Sequence, residues 1–304
     1  NGEPASASPL TAPGMARGAI AEPGDLGFFR ISARAGETLL VETRAAQNGS
    51  PLDSVIEVLD SGGNSIPRVW LRAVRDSNVT FRAIDSKTLD CRVVNWEEME
   101  LNQYIYLSGE VVKLFRMPRG PDAGFLFYPG TGERHTFFET TATTHALEEP
   151  CYVVEPWQPG AELPENGLPV FPIYHANDDD STRRGGRDSR ITFTPPADGE
   201  YLIRVGDSRG FGGEKFTYDL IVRRPEPSFQ LVVDGKELPV PAAGGRSFSI
   251  KADRIDGFTG PIEVELSGLP EGWTTTEPLV IEAGHQEARG VLRTPAELKP
   301  NEAV

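Results

Sequence analysis

The densest concentration of metal-ligating side chains in the chain is Asn177, Asp178, Asp179 and Asp180, with Asp188 close behind and Asp207 after the next pair of expected strands. Calcium takes six to eight hard oxygen ligands, and adjacent carboxylates on one loop can supply several of them. The spacing is not that of an EF-hand, because the sixth-position glycine and twelfth-position glutamate are missing. Arg183, Arg184 and Arg187 lie in the same loop and could neutralise the aspartates instead. These Asn and Asp side chains are equally suited to capping turn amides. Calcium is therefore the one cofactor the residues suggest, with turn capping as the competing role.

Other chemistry finds little support. His135, His145, His175 and His285 form neither His-Glu-x-x-His nor a Cys/His zinc spacing. Gly-x-Ser-x-Gly and Cys-x-x-Cys are absent, and the glycines at 206, 210, 212 and 213 do not follow the dinucleotide pattern. The two cysteines, Cys91 and Cys151, could close a disulfide worth roughly 4 kcal/mol in an oxidising compartment, or remain two buried thiols. Trp70, Trp96 and Trp157 fall in one stretch with Phe125, Phe127, Tyr128, Phe137 and Phe138. Exposed, such rings would stack on sugars; buried, they would form a core.

The elements that must position these residues read as strands. Phe29 and Ile31, Leu39 and Val41, and Ile56 and Val58 alternate with polar neighbours. Ile191 and Phe193, then Tyr201, Ile203 and Val205, then Phe216, Tyr218 and Leu220 repeat the pattern. Between the two sets, strand-like runs fall at 79–84, 104–107, 110–115, 124–128 and 151–154, with one short helical candidate at 95–101. A structureless loop of that length is improbable inside a compact domain, so 68–176 is expected to be a β-rich subdomain inserted at an exposed turn. Pro225-Glu226-Pro227 reads as a stiff linker. After it, Phe229, Leu231 and Val233, Phe248 and Ile250, and Ile262, Val264 and Leu266 alternate again.

Joined end to end, 17–67 and 177–224 resemble the bacterial pre-peptidase C-terminal domain. The resemblance rests on an ordered series: Pro23-Gly24-Asp25, Ala35-Gly36-Glu37, Leu52-Asp53, Asp60 to Asn64, Asn177-Asp178-Asp179, Asp188-Ser189, Asp198-Gly199-Glu200-Tyr201 and Tyr218. Gly268-Leu269-Pro270-Glu271-Gly272-Trp273, in 228–304, resembles a turn of immunoglobulin-like accessory domains of bacterial surface proteins. The resemblance implies a secreted β-sandwich that accompanies a catalytic or surface domain; some members of that family bind calcium or extracellular polymers.

Composition agrees with many short strands: the 304 residues include 32 Gly and 26 Pro. A net charge of −15 disfavours a nucleic-acid partner, since phosphate binding needs clustered cations. No run approaches the ~20 apolar residues of a membrane helix. The expected fold class is all-β: a split sandwich, an inserted β-rich subdomain and a C-terminal immunoglobulin-like sandwich, with 1–16 a linker. The expected function is a non-catalytic accessory or adhesion-type module of a larger secreted, periplasmic or cell-surface bacterial protein. Its partners would be neighbouring domains and extracellular protein or polysaccharide. The first alternative is a carbohydrate-binding module working through Trp70, Trp96 and Trp157; the second is a hydrolase of unrecognised type.

Overall fold

In a computed structural model, which describes residues 2–120, 123–233 and 238–297, the chain is all-β. Among these residues the only helical elements are three-residue 3₁₀ turns, and no helix is long and apolar enough to cross a membrane. The chain divides into two compact units, 1–224 and 225–304.

The first unit contains a sandwich built from strands of both sequence halves. In its five-stranded sheet, Gly199–Asp207 runs antiparallel between Gly27–Ala33 and Ser54–Asp60. The four-stranded sheet has the order Arg190–Phe193, Leu39–Arg44, Thr217–Arg223, Gly14–Ala19. Apart from an amino-terminal edge strand, second-half and first-half strands thus alternate in both sheets. The alternating residues meet as one interior: Phe29, Ile31, Ile56, Val58, Tyr201, Ile203 and Val205 from one sheet, Leu39, Val41, Ile191, Phe193, Leu220 and Val222 from the other. The Tyr218 ring lies over Gly18, its direct strand partner, and Gly27. A Cβ at Gly27 would sit 2.1 Å from the phenol oxygen, which is why glycine stands there.

The amino-terminal segment corrects the linker expectation. Ser8–Pro9 pairs in parallel with Phe29 and Arg30, Gly14–Ala19 is an edge strand, and Leu10 joins the core. Ala7 also packs against a small apolar patch of Phe28, Leu59 and Leu202 on the sandwich's outer face. Small residues and prolines concealed these strands, because their burial depends on partners distant in sequence.

The inserted segment leaves after Ser54–Asp60 and returns beside it. His175 donates its amide to the Ile66 carbonyl, its own carbonyl accepts the Val58 amide, and Ala176–Asn177 pairs with Glu57 and Ile56. In between lies a seven-stranded sheet in the order Val170–Tyr174, Pro67–Asn78, Pro150–Trp157, Tyr104–Leu107, Glu110–Arg116, Phe125–Phe127, Asp90–Cys91. Its longest strand, Pro67–Asn78, was not expected from the sequence. The anticipated strand at 79–84 is irregular, joined only through single bridges at Val79 and Ile84. Only Trp96–Glu98 of the helical candidate turns, as a 3₁₀ segment.

In the second unit, a three-stranded sheet (Ser228–Val233, Gly245–Ile255, Glu287–Arg293) and a two-stranded one (Ile262–Val264, Leu279–Ile281) share a core of Phe248, Ile250, Ala252, Ile262, Leu279 and Ile281. Among the described residues these are five strands, against the seven of an immunoglobulin constant-type sandwich. The Trp273 amide closes the Gly268–Trp273 turn by donating to the Pro270 carbonyl.

Candidate functional site

The acidic residues singled out for calcium do not converge. Asp188 accepts the amides of Ala45, Ala46 and Gln47, capping a 3₁₀ turn of the sandwich. Asp180 accepts the Thr182, Arg184 and Gly185 amides within its own loop. Asp207 accepts the amides of Asp53, Arg209 and Phe211 and pairs with the Arg209 guanidinium at 3.0 Å. Asn177 donates to the Glu139 carbonyl, and Asp178 accepts from the Thr141 hydroxyl. The oxygens a cation would need are therefore distributed over separate turns and occupied by N–H and O–H donors. No metal-holding group of three or more His, Cys, Asp or Glu side chains occurs among the described residues. One acidic concentration remains. Partial burial, then the neighbouring Asp178 and Asp53, push the Asp179 carboxyl up to about 6, with Arg183 as partial relief.

Cys91 and Cys151 are free thiols buried in the inserted core, each pushed up to about 12 chiefly by burial. The disulfide expectation gives way to the two-thiol reading. Phe125 and Phe127 are fully buried in the same core, while Phe137 and Phe138 pack on the sheet's opposite face.

The three tryptophans separate. Trp96 packs against the inserted core, with the Arg92 guanidinium 4.8 Å from its ring centre. Trp70 and Trp157 are directly opposed on neighbouring strands, and Pro172 is opposed to Trp70 on the next. Opposed residues on antiparallel strands project from the same side of a sheet. Leu71, Val154 and Phe171 point to the other side, into a core with Val69 and Ala73. The row Pro172, Trp70, Trp157 therefore lies on the face away from that core, with the two tryptophans half-buried and Pro172 exposed. The next row is Val170, Arg72 and Glu155. Tyr174, two residues beyond Pro172 on the same strand, is 39 % exposed and Val170 40 %. The Arg72 guanidinium is engaged twice, by the Glu155 carboxylate at 3.5 Å and by the Pro164 carbonyl at 2.9 Å.

A second constellation lies inside the insertion, and sequence spacing gave no sign of it. Glu110 and Arg134, both fully buried, form a two-bonded pair at 2.6 and 2.9 Å. Arg134 also donates to the carbonyls of Asp85 and Thr88 in one loop and Thr143 in another, which ties both to the Glu110 strand. His145 touches Glu110 at 2.8 Å and Glu149 at 2.9 Å. Burial alone would push Glu110 up, but the Arg134 and His145 bonds hold it below the ordinary carboxylate value.

At the junction with the sandwich, Arg68 bonds the Glu139 carboxylate and the Thr192 carbonyl, while Glu139 accepts the Thr192 amide. Burial pushes the Glu139 carboxyl up, against Arg68. Burial, helped by Arg68, holds His175 down at about 4, so it is neutral at pH 7.

No family model, curated protein or solved structure matches the chain.

Proposed function

We propose that the chain is an accessory binding module of a larger secreted or cell-surface bacterial protein, and that it holds a neutral polysaccharide on the Trp70–Trp157 face. The observation that carries the reading is the register: Pro172, Trp70 and Trp157 stand side by side on three adjacent strands, with Tyr174 and Val170 exposed around them. Neighbouring strands are about 4.8 Å apart, close to the length of one pyranose unit, so an extended sugar chain can cross the strands with successive rings over successive side chains. Apolar sugar faces stack on such rings, and the polar edges of Arg72 and Glu155 suit hydroxyl groups. Neutral glycans fit better than anionic ones. Arg72 is already paired, and the net charge of −15 repels a polyanion. The accessory role and extracytoplasmic location rest on the pre-peptidase resemblance, whose two sequence blocks interleave in one sandwich.

The test is a glycan array carrying neutral and anionic polysaccharides, followed by titration with the best neutral oligosaccharide. Trp70→Ala and Trp157→Ala are each expected to weaken binding about tenfold or more, the usual cost of losing a central aromatic anchor. Trp96→Ala is the control and should bind as the parent does. Absence of binding to every neutral glycan would leave tethering through protein contacts as the module's role.

A further inference from the structure

His145 is 1 % exposed and lies between two carboxylates. Its Nε2 faces Glu110 Oε2 at 2.8 Å, and its Nδ1 faces Glu149 Oε1 at 2.9 Å. Glu110 is surrounded by donors: Arg134 on both oxygens and the Thr143 amide on Oε2. Glu149 accepts the Ala146 amide through its other oxygen and is further held by the Ser108 hydroxyl. Both carboxylates thus act as acceptors, so each ring nitrogen has to supply a hydrogen. A neutral imidazole carries one; only the imidazolium carries two. Charge balance agrees. Glu110 and Glu149 contribute two negative charges, Arg134 and a protonated His145 two positive ones. The nearby Cys91 and Cys151 thiols add none below about pH 12. Asp85, beside Arg134, accepts the backbone amides of Lys87 and Thr88 and the Thr88 hydroxyl.

We infer that His145 is a charged latch, which fastens the 134–149 connection to the Glu110–Arg116 strand and opens when the ring loses its proton. Burial would push His145 down, but the bonds to Glu110 and Glu149 outweigh it and hold the ring above its ordinary value. The side that yields is fixed by the surroundings. Glu110 is fully buried and gripped by Arg134, whereas the Glu149 side chain is 18 % exposed. The remaining proton therefore stays on Nε2, and a bare Nδ1 lone pair confronts Glu149. Glu149 then turns to water, and the Ala146 amide loses its cap. A group whose folded value is raised stabilises the fold fully below its unfolded value. That contribution disappears as pH climbs through the folded value, so the latch fails on the alkaline side.

The deciding measurement is nitrogen–carbon correlation NMR of the imidazoles in the full chain between pH 5 and 10. Both His145 nitrogens are expected to be protonated at pH 7, with titration above the ordinary ~6.5. Glu149→Gln should lower that midpoint by about one pH unit. Thermal melts should fall as pH rises through the parent's midpoint, and this decline should vanish in His145→Gln. A single neutral tautomer at pH 7, or a midpoint at or below the ordinary value, would overturn the latch. The NMR arm needs only the parent chain, so a variant that fails to fold does not leave the question open.

Discussion

In the sandwich, the interior from Phe29 through Val222 is aliphatic or aromatic apart from the buried hydroxyls of Thr43, Ser54 and Ser189, which bond to one another without any charge, and the carboxylates Asp188 and Asp207 sit at turns where backbone amides meet them. In the inserted sheet, a carboxylate, a guanidinium and an imidazole occupy the interior itself. The sandwich has two broad, mostly apolar faces to press together, so transfer from water does most to specify it. The insertion must also anchor long irregular connections (79–103 and 128–149), whose alternation is too poor to define a buried side. It does so with directional bonds: one guanidinium holds three loop carbonyls. Burying an ion pair adds little net stability compared with an apolar pair, yet breaking it leaves an uncompensated charge. The difference teaches that the insertion's order depends on a few irreplaceable contacts, while the sandwich's is spread over many.

The sharpest way to break the comparison is Glu110→Ala. It strands Arg134 and His145 and should cost about 3–5 kcal/mol by denaturant melts. A cost under about 1 kcal/mol would show that the buried charges are incidental. Phe193→Ala, in the sandwich, is expected to cost a similar ~3–5 kcal/mol through its cavity, while Ile203→Val should cost only ~0.5–1.5 kcal/mol. Gly27→Ala drives a methyl group into the Tyr218 hydroxyl and should cost about 1–3 kcal/mol; the double change with Tyr218→Phe should recover part of it.

Smaller effects probe the acidic turns. Asp179 has a folded value near 6 against 3.8 when free, so protonation favours the fold and its contribution fades between about pH 4 and 6. Asp179→Asn should therefore raise the melting temperature at pH 7, by about 2–4 °C if screening leaves ~1 kcal/mol of the effect. The same change at pH 4 should do almost nothing. Calcium and chelator are expected to leave the parent's melt in place, because Asp180, Asp188 and Asp207 already serve amides. A calcium-induced rise lost in Asp179→Asn would instead mark the 178–180 loop as a cation site.

Legibility followed the same division. Strands whose faces alternate cleanly, such as Arg190–Phe193 and Thr217–Arg223, were readable because every second side chain enters one core. Pro67–Asn78 was not, since it buries Val69, Leu71 and Ala73 on one face and, past an irregularity near Val74, Ser77 on the other. Trp70 and Trp157 were legible as aromatic candidates, but 87 positions separate them. Nothing local distinguished them from Trp96, which packs against the core.

Local alternation and turn chemistry by themselves determined that this chain is all-β; the expectation that 17–67 and 177–224 belong together, parted by an insertion, came from the resemblance that the order of their turns carries. Period-two patterning and glycine or aspartate at turns are properties of neighbouring residues. Only tertiary structure decided which tryptophans share a face, that the aspartates serve separate turns, and that Glu110, Arg134, His145 and Glu149 meet. Those outcomes depend on strand register and on which loops close over which strand, and both are fixed by contacts between residues far apart along the backbone.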